Sequence, residues 1–527
     1  MPDPTPLDPL DADLLRTQGD RILDFIARYW ASLEARPVAP HTLSPSDPAR
    51  VNPGDVLSAL PLAAPEHPGD AREWDRILSD LDSIILPALT NWQHPGFFAY
   101  FPANISAPAV LGELLAAGLG VNGMLWATSP AVTELETRVL DWLARAIDLP
   151  DSFLSTSGNG GSVIQGTASE ATLSSLVAAR HRARQKLSRG AGVPPVNPHY
   201  TLYTSTQAHS SIIKAAMIAG LADSPEDRTH LRLIETDRSH AMRPDALARA
   251  IVEDLAAGRV PIHVAATLGT TSSTAFDPLP AIHEAIASAC RNASPAAFLP
   301  WLHVDAAHAG SAFICPEFRA LAQGLEHADS FCTNPHKWLL TNFDCDCFYT
   351  SDRRSLIASM SISPEYLRNS ASSSGAVIDY RDWHIPLGRR FRALKLWFVL
   401  RAYGLEALRD GIREHVRLAA WFEERVRSDP RFELAAPRTI NLVCFRLRPP
   451  PGSSDEHADR LNRTLLDRLN ATGRLHLIHT ILPDEHGTGR VTLRFSVGTS
   501  TTRERHVHQA WETISRESDV VLGSAAS

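Results

Sequence analysis

Between residues 105 and 394 the chain alternates short β-branched runs with stretches of helical periodicity, and this alternation restricts the fold more than any other feature. The runs are Thr201-Leu-Tyr-Thr-Ser, Leu231-Arg-Leu-Ile-Glu, Ile262-His-Val-Ala-Ala-Thr-Leu and Trp301-Leu-His-Val-Asp. Strands that take turns with helices predict an α/β fold, a mostly parallel sheet with helices on both faces. In such open sheets a ligand sits beyond the carboxyl ends of the strands, so chemistry is expected in the residues that follow each run.

The flanks read differently. Residues 14–33 place Leu15, Ile22, Leu23, Phe25, Ile26, Tyr29 and Trp30 mostly on one helical face. A Pro-rich passage over 37–68 and a second helix over 74–86 follow, with too little apolar mass for a separate core. From Lys395 the pattern is a long helix to Phe422, a strand over 440–447 and a helix over 458–469. Strands near His476 and over 491–497 and a last helix over 501–517 complete a small α+β domain. Three units are therefore expected: an N-terminal helical segment over 1–104, a large domain over 105–394 and a C-terminal domain over 395–527.

The composition of the 527-residue chain removes several functions. A net charge of −8, dispersed along the chain, offers no electrostatic footprint for nucleic acid. No apolar run approaches the roughly 18 residues of a membrane span. The acidic, Pro-rich start is unlike a secretory signal. Six cysteines without a C-x-x-C pair predict buried thiols in a reducing, cytoplasmic setting.

Four strand ends carry unusual residues. Gly166-Thr-Ala-Ser-Glu, ahead of a helical stretch, is either a plain helix cap or an anion site suited to phosphate. The basic residues Arg180, Arg182, Arg184 and Lys186 at the far end of that helix predict a solvated helix terminus. His209 follows the strand that starts at Thr201. In Trp301-Leu-His-Val-Asp-Ala-Ala-His, alternation puts His303 and Asp305 on one face. With His308 they admit a metal-ligand reading; Asp305 beside two alanines equally suits the cationic nitrogen of a flat ring. Finally, Asn334-Pro-His-Lys-Trp places a lysine after a strand, among aromatic residues.

That lysine stands out because the chain has only four, Lys186, Lys214, Lys337 and Lys395, among 51 basic residues. The other three lie in helical patterns. Desolvation turns an ammonium into a nucleophilic amine, so Lys337 is the expected reactive one. A phosphate cradle, a stacking histidine, a carboxylate for a ring nitrogen and a Schiff-base lysine together suit pyridoxal 5'-phosphate.

The chain resembles the pyridoxal-phosphate-dependent group II decarboxylases, specifically the aromatic-L-amino-acid decarboxylase family. The resemblance is carried by His94-Pro-Gly-Phe-Phe-Ala-Tyr-Phe-Pro, Ser129-Pro-Ala-Val-Thr-Glu-Leu-Glu, Gly166-Thr-Ala-Ser-Glu-Ala, Gln207-Ala-His-Ser-Ser, Ala266-Thr-Leu-Gly-Thr-Thr, His303-Val-Asp-Ala-Ala, Asn334-Pro-His-Lys-Trp and Ile385-Pro-Leu-Gly-Arg-Arg. It implies fold type I, with a seven-stranded sheet, in a homodimer whose N-terminal segment wraps the partner. It further implies that Lys337 binds the cofactor covalently, Asp305 pairs with the pyridine nitrogen and His209 stacks on the ring. Ala168, Ser169 and Asn334, with His336 nearby, would hold the phosphate; Thr270 and Ala307 would line the ring. Tyr366, in the Ser-rich stretch 363–375, would protonate the substrate carbon from a closing lid.

For the substrate the resemblance points to Trp92, Tyr100, Phe101, Pro102, Ala103, Asn122, Met124 and Gly388. Ala103, Asn122, Met124 and His308 depart from the usual residues, and with Gly388 they suggest a pocket for tryptophan or 5-hydroxytryptophan. Tyrosine or DOPA decarboxylation, the oxidative aldehyde-synthase reaction, a metal-dependent hydrolase and a non-catalytic dimer are the competing readings.

Overall fold

The structure, a computed structural model, describes residues 9–66, 70, 72–191, 198–293, 297–362 and 377–526. By their internal contacts these residues form two compact units: residues 99–462 with 478–500, and residues 1–98 with 463–477 and 501–527.

The larger unit is built on seven strands: β1 (Gly161–Gln165), β2 (Tyr200–Ser205), β3 (Leu231–Ile234), β4 (Val260–Thr267), β5 (Trp301–Asp305), β6 (Ser330–Thr333) and β7 (Asp346–Thr350). They lie in the order β1-β7-β6-β5-β4-β2-β3. All pairings from β6 to β3 are parallel, and β7 runs antiparallel between β6 and β1. Every residue of β1, β2, β5, β6 and β7 is buried, as expected of strands covered on both faces. On one face Trp301, Cys332 and Phe348 pack with Ala171 and Ala178 of the helix Ala168–Ala191. On the other, Ile164, Val304 and Phe331 join a core with Leu140 of the helix Pro130–Ala146 and Ile282 of the helix Leu279–Arg291.

Arg182 corrects one expectation. Its guanidinium makes hydrogen bonds of 2.5 and 3.0 Å to the two carboxylate oxygens of Asp329 and lies 4.5 Å from the Trp301 ring. Arg180 donates to the carbonyl of Ala219. These arginines tie the helix to its neighbours rather than decorating a solvated end, because an arginine stem can cover apolar surface while its head pairs.

A second, antiparallel sheet in this unit has the order β10-β11-β9-β8, from β8 (Phe432–Leu434), β9 (Leu442–Leu447), β10 (Ile478–Pro483) and β11 (Gly489–Ser496). The helix expected from Lys395 spans Arg392–Ser428 but breaks at Gly404, whose φ of 67° and ψ of 170° are non-helical. Glycine reaches that conformation without steric cost. The last helix, Glu504–Ala526, runs nine residues past the expected end because its apolar face continues through Val521, which is buried.

In the smaller unit the N-terminal segment finds its core against C-terminal residues. Val38 N–H donates to the Gly473 carbonyl, Phe98 N–H to that of His476, and His506 Nε2 meets Glu34 Oε1 at 3.1 Å. The helix Ala12–Ser32 buries none of its residues.

The Ile385-Pro-Leu-Gly-Arg-Arg motif has a structural centre. Arg389 pairs with Glu136 at 2.7 Å, with side chains 1% and 0% exposed, and also donates to the Ile164 carbonyl. Replacing one member of a fully buried pair strands the other charge, at a cost of about 3–5 kcal/mol. Arg389→Met is therefore expected to lower stability by roughly that amount, and adding Glu136→Gln to restore part of it, measured by denaturant unfolding.

Candidate active site

The carboxyl ends of β5 and β6 lie side by side and are stitched by backbone bonds: Ala306 N–H to the Cys332 carbonyl and Asn334 N–H to the Ala307 carbonyl. Past β5, Asp305 Oδ1 accepts the Ala307 N–H at 2.9 Å. Past β6, the short helix Pro335–Trp338 carries Lys337. Together with the ends of β1, β2 and β4 they enclose a cavity of about 200 Å³ lined by Ala168, Ser169, His209, Asp305, Ala307, His308, Asn334, His336 and Lys337. Phe101, Thr271 and Phe343 complete much of the wall.

Burial pushes the Lys337 amine below its ordinary pKa, and Asp305 partly opposes the shift. Lys395 is equally withdrawn from water but pairs with Glu113 at 2.7 Å, so its charge is already spent. Burial likewise lowers the pKa of His209, and drives His336 and His308 to about 3 and His303 to about 4. All four rings are therefore neutral near pH 7. The Nδ1 atom of His209 accepts the backbone N–H of Ser211, which places its proton on Nε2, while His336 Nδ1 lies 2.8 Å from the Cys345 carbonyl and 3.0 Å from the Cys345 backbone nitrogen.

His303 bonds Ser330 Oγ through Nδ1, while His308 bonds Asn441 Oδ1 through Nε2 and stacks on Phe101 at 3.8 Å. Among the described residues no group of three His, Cys, Asp or Glu side chains is placed to hold a metal ion.

Not all of the residues named from the sequence border this cavity. Thr270 is absent from the cavity wall; its hydroxyl caps its own turn by accepting the Ala275 N–H, and Thr271 borders the cavity instead. Of the substrate positions in this unit, Phe101 lines the cavity. Tyr100 is half exposed, Pro102 packs near Gly498, and Ala103 is partly buried. Asn122, Met124 and Gly388 are also absent from the wall: Asn122 Oδ1 accepts the Arg389 N–H, and both Asn122 and Gly388 are exposed. Trp92 belongs to the smaller unit, where its ring lies 4.6 Å from that of Phe97 at a tilt of 33°. Tyr366 and the Ser-rich stretch lie outside the described residues.

Two residues escaped the sequence reading. Asn104 is wholly buried and donates to the carbonyls of Lys337 and Gly498, fixing the backbone under the lysine. Arg494 is buried in β11, 5.1 Å from the Phe101 ring, with Nη2 unpartnered. Burial lowers its pKa to about 10, which still leaves it cationic at neutral pH. An arginine within the run Val491-Thr-Leu-Arg-Phe-Ser was the available signal.

The residues fit a flat, phosphorylated, cationic aromatic aldehyde. Asp305 is a strand-end carboxylate for a ring nitrogen, Ala307 leaves room for a ring, and the first N–H groups of the Ala168 helix lack intrahelical partners. Asn334 is buried with its Oδ1 unpartnered, and the Nδ2 end of the same amide is the donor it can offer an anion. These properties define a pyridoxal-phosphate enzyme of fold type I.

Residues 53–448 match the pyridoxal-dependent decarboxylase conserved domain. The chain is 46% identical to phenylacetaldehyde synthase of Arabidopsis thaliana, covering 98% of both chains. It is 45% identical to tryptophan decarboxylase 2 of Oryza sativa subsp. japonica, covering 98% of this chain and 97% of that one. Among solved structures, Oryza sativa TDC with PLP and tryptamine aligns with a TM-score of 0.89 at 41% identity, over 98% of this chain and 100% of the other. This chain belongs to the pyridoxal-dependent decarboxylase family, and its cofactor is pyridoxal 5'-phosphate.

Protein loaded with the cofactor is expected to show a visible absorption band that depends on Lys337. In Lys337→Ala the band should vanish; a spectrum like that of the unmodified protein would assign the amine to another lysine.

Proposed function

We propose that the protein decarboxylates an aromatic L-amino acid to the corresponding amine and CO₂, working as a cytoplasmic homodimer, with tryptophan-type acids preferred. The observation that carries this reading is the wall beside the reactive lysine. The Phe101 ring lies 5.7 Å from Lys337 Nζ and 5.1 Å from the Arg494 guanidinium. A flat apolar face suits an aromatic side chain, and a buried cation with a spare donor suits a carboxylate.

When bound, the cofactor supplies an electron sink for the bond broken at the substrate's Cα. Asp305 would keep the ring nitrogen protonated through the carboxylate oxygen not occupied by Ala307. The N-terminus of the Ala168 helix would hold the phosphate, with the Asn334 amide as a further donor and the His336 ring beside it. Neutral His209 would cover the ring without adding charge. Arg494 Nη2 would orient the substrate carboxylate, and Phe101 and Phe343 would exclude water from it. Tyr366 is assigned the phenolic proton delivered to Cα.

The likeness to the rice tryptophan decarboxylase supports an indole preference, and an equal likeness to a tyrosine decarboxylase of Narcissus pseudonarcissus makes the phenolic acids its competitors. Homodimer formation is supported by apolar faces left open: Leu14, Leu15, Ile22 and Leu23 on the first helix, and Leu111, Leu114, Leu115 and Leu119 on Ala107–Leu119. The six cysteines are all buried and free, as suits a reducing compartment.

The likeness to phenylacetaldehyde synthase favours a second reading, in which O₂ and water are consumed and aldehyde, CO₂, ammonia and peroxide are released. Product analysis separates the two: amine without peroxide is expected here, and Tyr366→Phe should shift products toward aldehyde and peroxide. In a comparison of kcat/KM for tryptophan, 5-hydroxytryptophan, DOPA, tyrosine and phenylalanine, an indole acid should rank first. A phenolic acid ahead by about tenfold, roughly 1.4 kcal/mol, would reject the indole preference. Sedimentation should give twice the mass of one chain.

A further inference from the structure

Asp346 is a buried carboxyl that the reaction outlined above does not use. It opens β7, is fully buried, and neither of its oxygens has a hydrogen-bond partner. A carboxylate withdrawn from water without a donor is among the costliest groups an interior can hold. The antiparallel register sets Gln165 of β1 directly opposite it, so both side chains leave the sheet on one face, where the helix Ala168–Ala191 packs. Gln165 Oε1 is also buried and unpartnered. Its amide orientation is set by the other end: Nε2 donates to Ser174 Oγ at 3.2 Å and faces the Trp383 carbonyl, which can only accept, at 3.4 Å. Buried acceptors thus oppose each other across the strand pair, and a proton on one Asp346 oxygen would pair it with Gln165 Oε1.

We propose that Asp346 is a positioning residue that remains a neutral carboxylic acid in the working enzyme, its O–H donating to Gln165 Oε1, so that Asp305 alone of these two strand carboxyls carries charge near Lys337. The groups around it agree. Burial and the negative charges of Asp305 from β5 and Glu170 from the Ala168 helix, with the Cys345 thiol just before β7, raise its pKa well above the usual carboxylate range, and Lys337 opposes them. Cys332 from β6 and Cys347 and Tyr349 from β7 are the other titratable groups that feel Asp346, and each is itself raised by burial. A second carboxylate here would stabilise the protonated nitrogen of Lys337 and raise the pH at which the site loses that proton. This inference rests on the cofactor occupying the Lys337 cavity and is independent of the substrate.

Two measurements on the holoenzyme test it. Infrared difference spectroscopy at pH 7 should show the C=O stretch of a protonated carboxyl, shifted in D₂O and missing from Asp346→Asn. In Gln165→Leu the same stretch should move to higher wavenumber. Asp346→Ser serves the same purpose if the asparagine variant does not fold. The pH midpoint of the cofactor's visible band should be the same in Asp346→Asn as in the unmodified protein, because an amide replaces a group that is already neutral. A missing carboxyl stretch, or a midpoint about one unit or more lower in Asp346→Asn, would show an ionised Asp346 and overturn the proposal. A stretch unmoved by Gln165→Leu would overturn the assigned partner.

Discussion

Everything at the site depends on holding an amine and a carboxylate together out of water. Asp305 and Lys337 sit past the ends of neighbouring parallel strands, and backbone bonds between the two turns set their spacing before any side chain is considered. Burial lowers the pKa of the lysine, and the carboxylate opposes that shift. The parallel sheet is thus part of the chemistry: it is the means by which two residues distant in sequence share one dry cavity.

Around that pair the chain surrounds the cavity with imidazoles kept neutral by burial. His209, His303, His308 and His336 each have a ring nitrogen engaged by a backbone N–H, a hydroxyl or an amide. They add no charge, so Lys337 supplies the amine of the wall, and Arg494 stands behind it against the Phe101 ring. An anionic phosphate and a substrate carboxylate would each find a counter-charge or a dipole, while the ring between them meets apolar or neutral groups.

Much of this was legible in the sequence, for reasons that also explain what was not. β2, β3, β4 and β5 fall within a residue or two of the β-branched runs, because buried parallel strands are apolar throughout and end abruptly at polar turns. Lys337, Asp305 and His209 were found because each follows such a run. Three-residue β8 leaves too short a pattern to read, and the break at Gly404 is hidden because one glycine scarcely disturbs an apolar period. Arg182, Asn104 and Arg494 depend on partners far away in the chain, Asp329, Lys337 and Phe101, and pairings at that separation leave no local trace.

The position of β7 has a consequence for how the protein is made. β1 touches the main sheet only through β7, in a register that joins Gly161 to Thr350 and Gln165 to Asp346. A ribosome has therefore to deliver most of the large unit before β1 can dock and aim the start of the Ala168 helix into the cavity. Closing so long a loop is slow and entropically unfavourable. The β1 edge of the anion site is thus completed only after β5, β6 and the turn that carries Lys337 have been made.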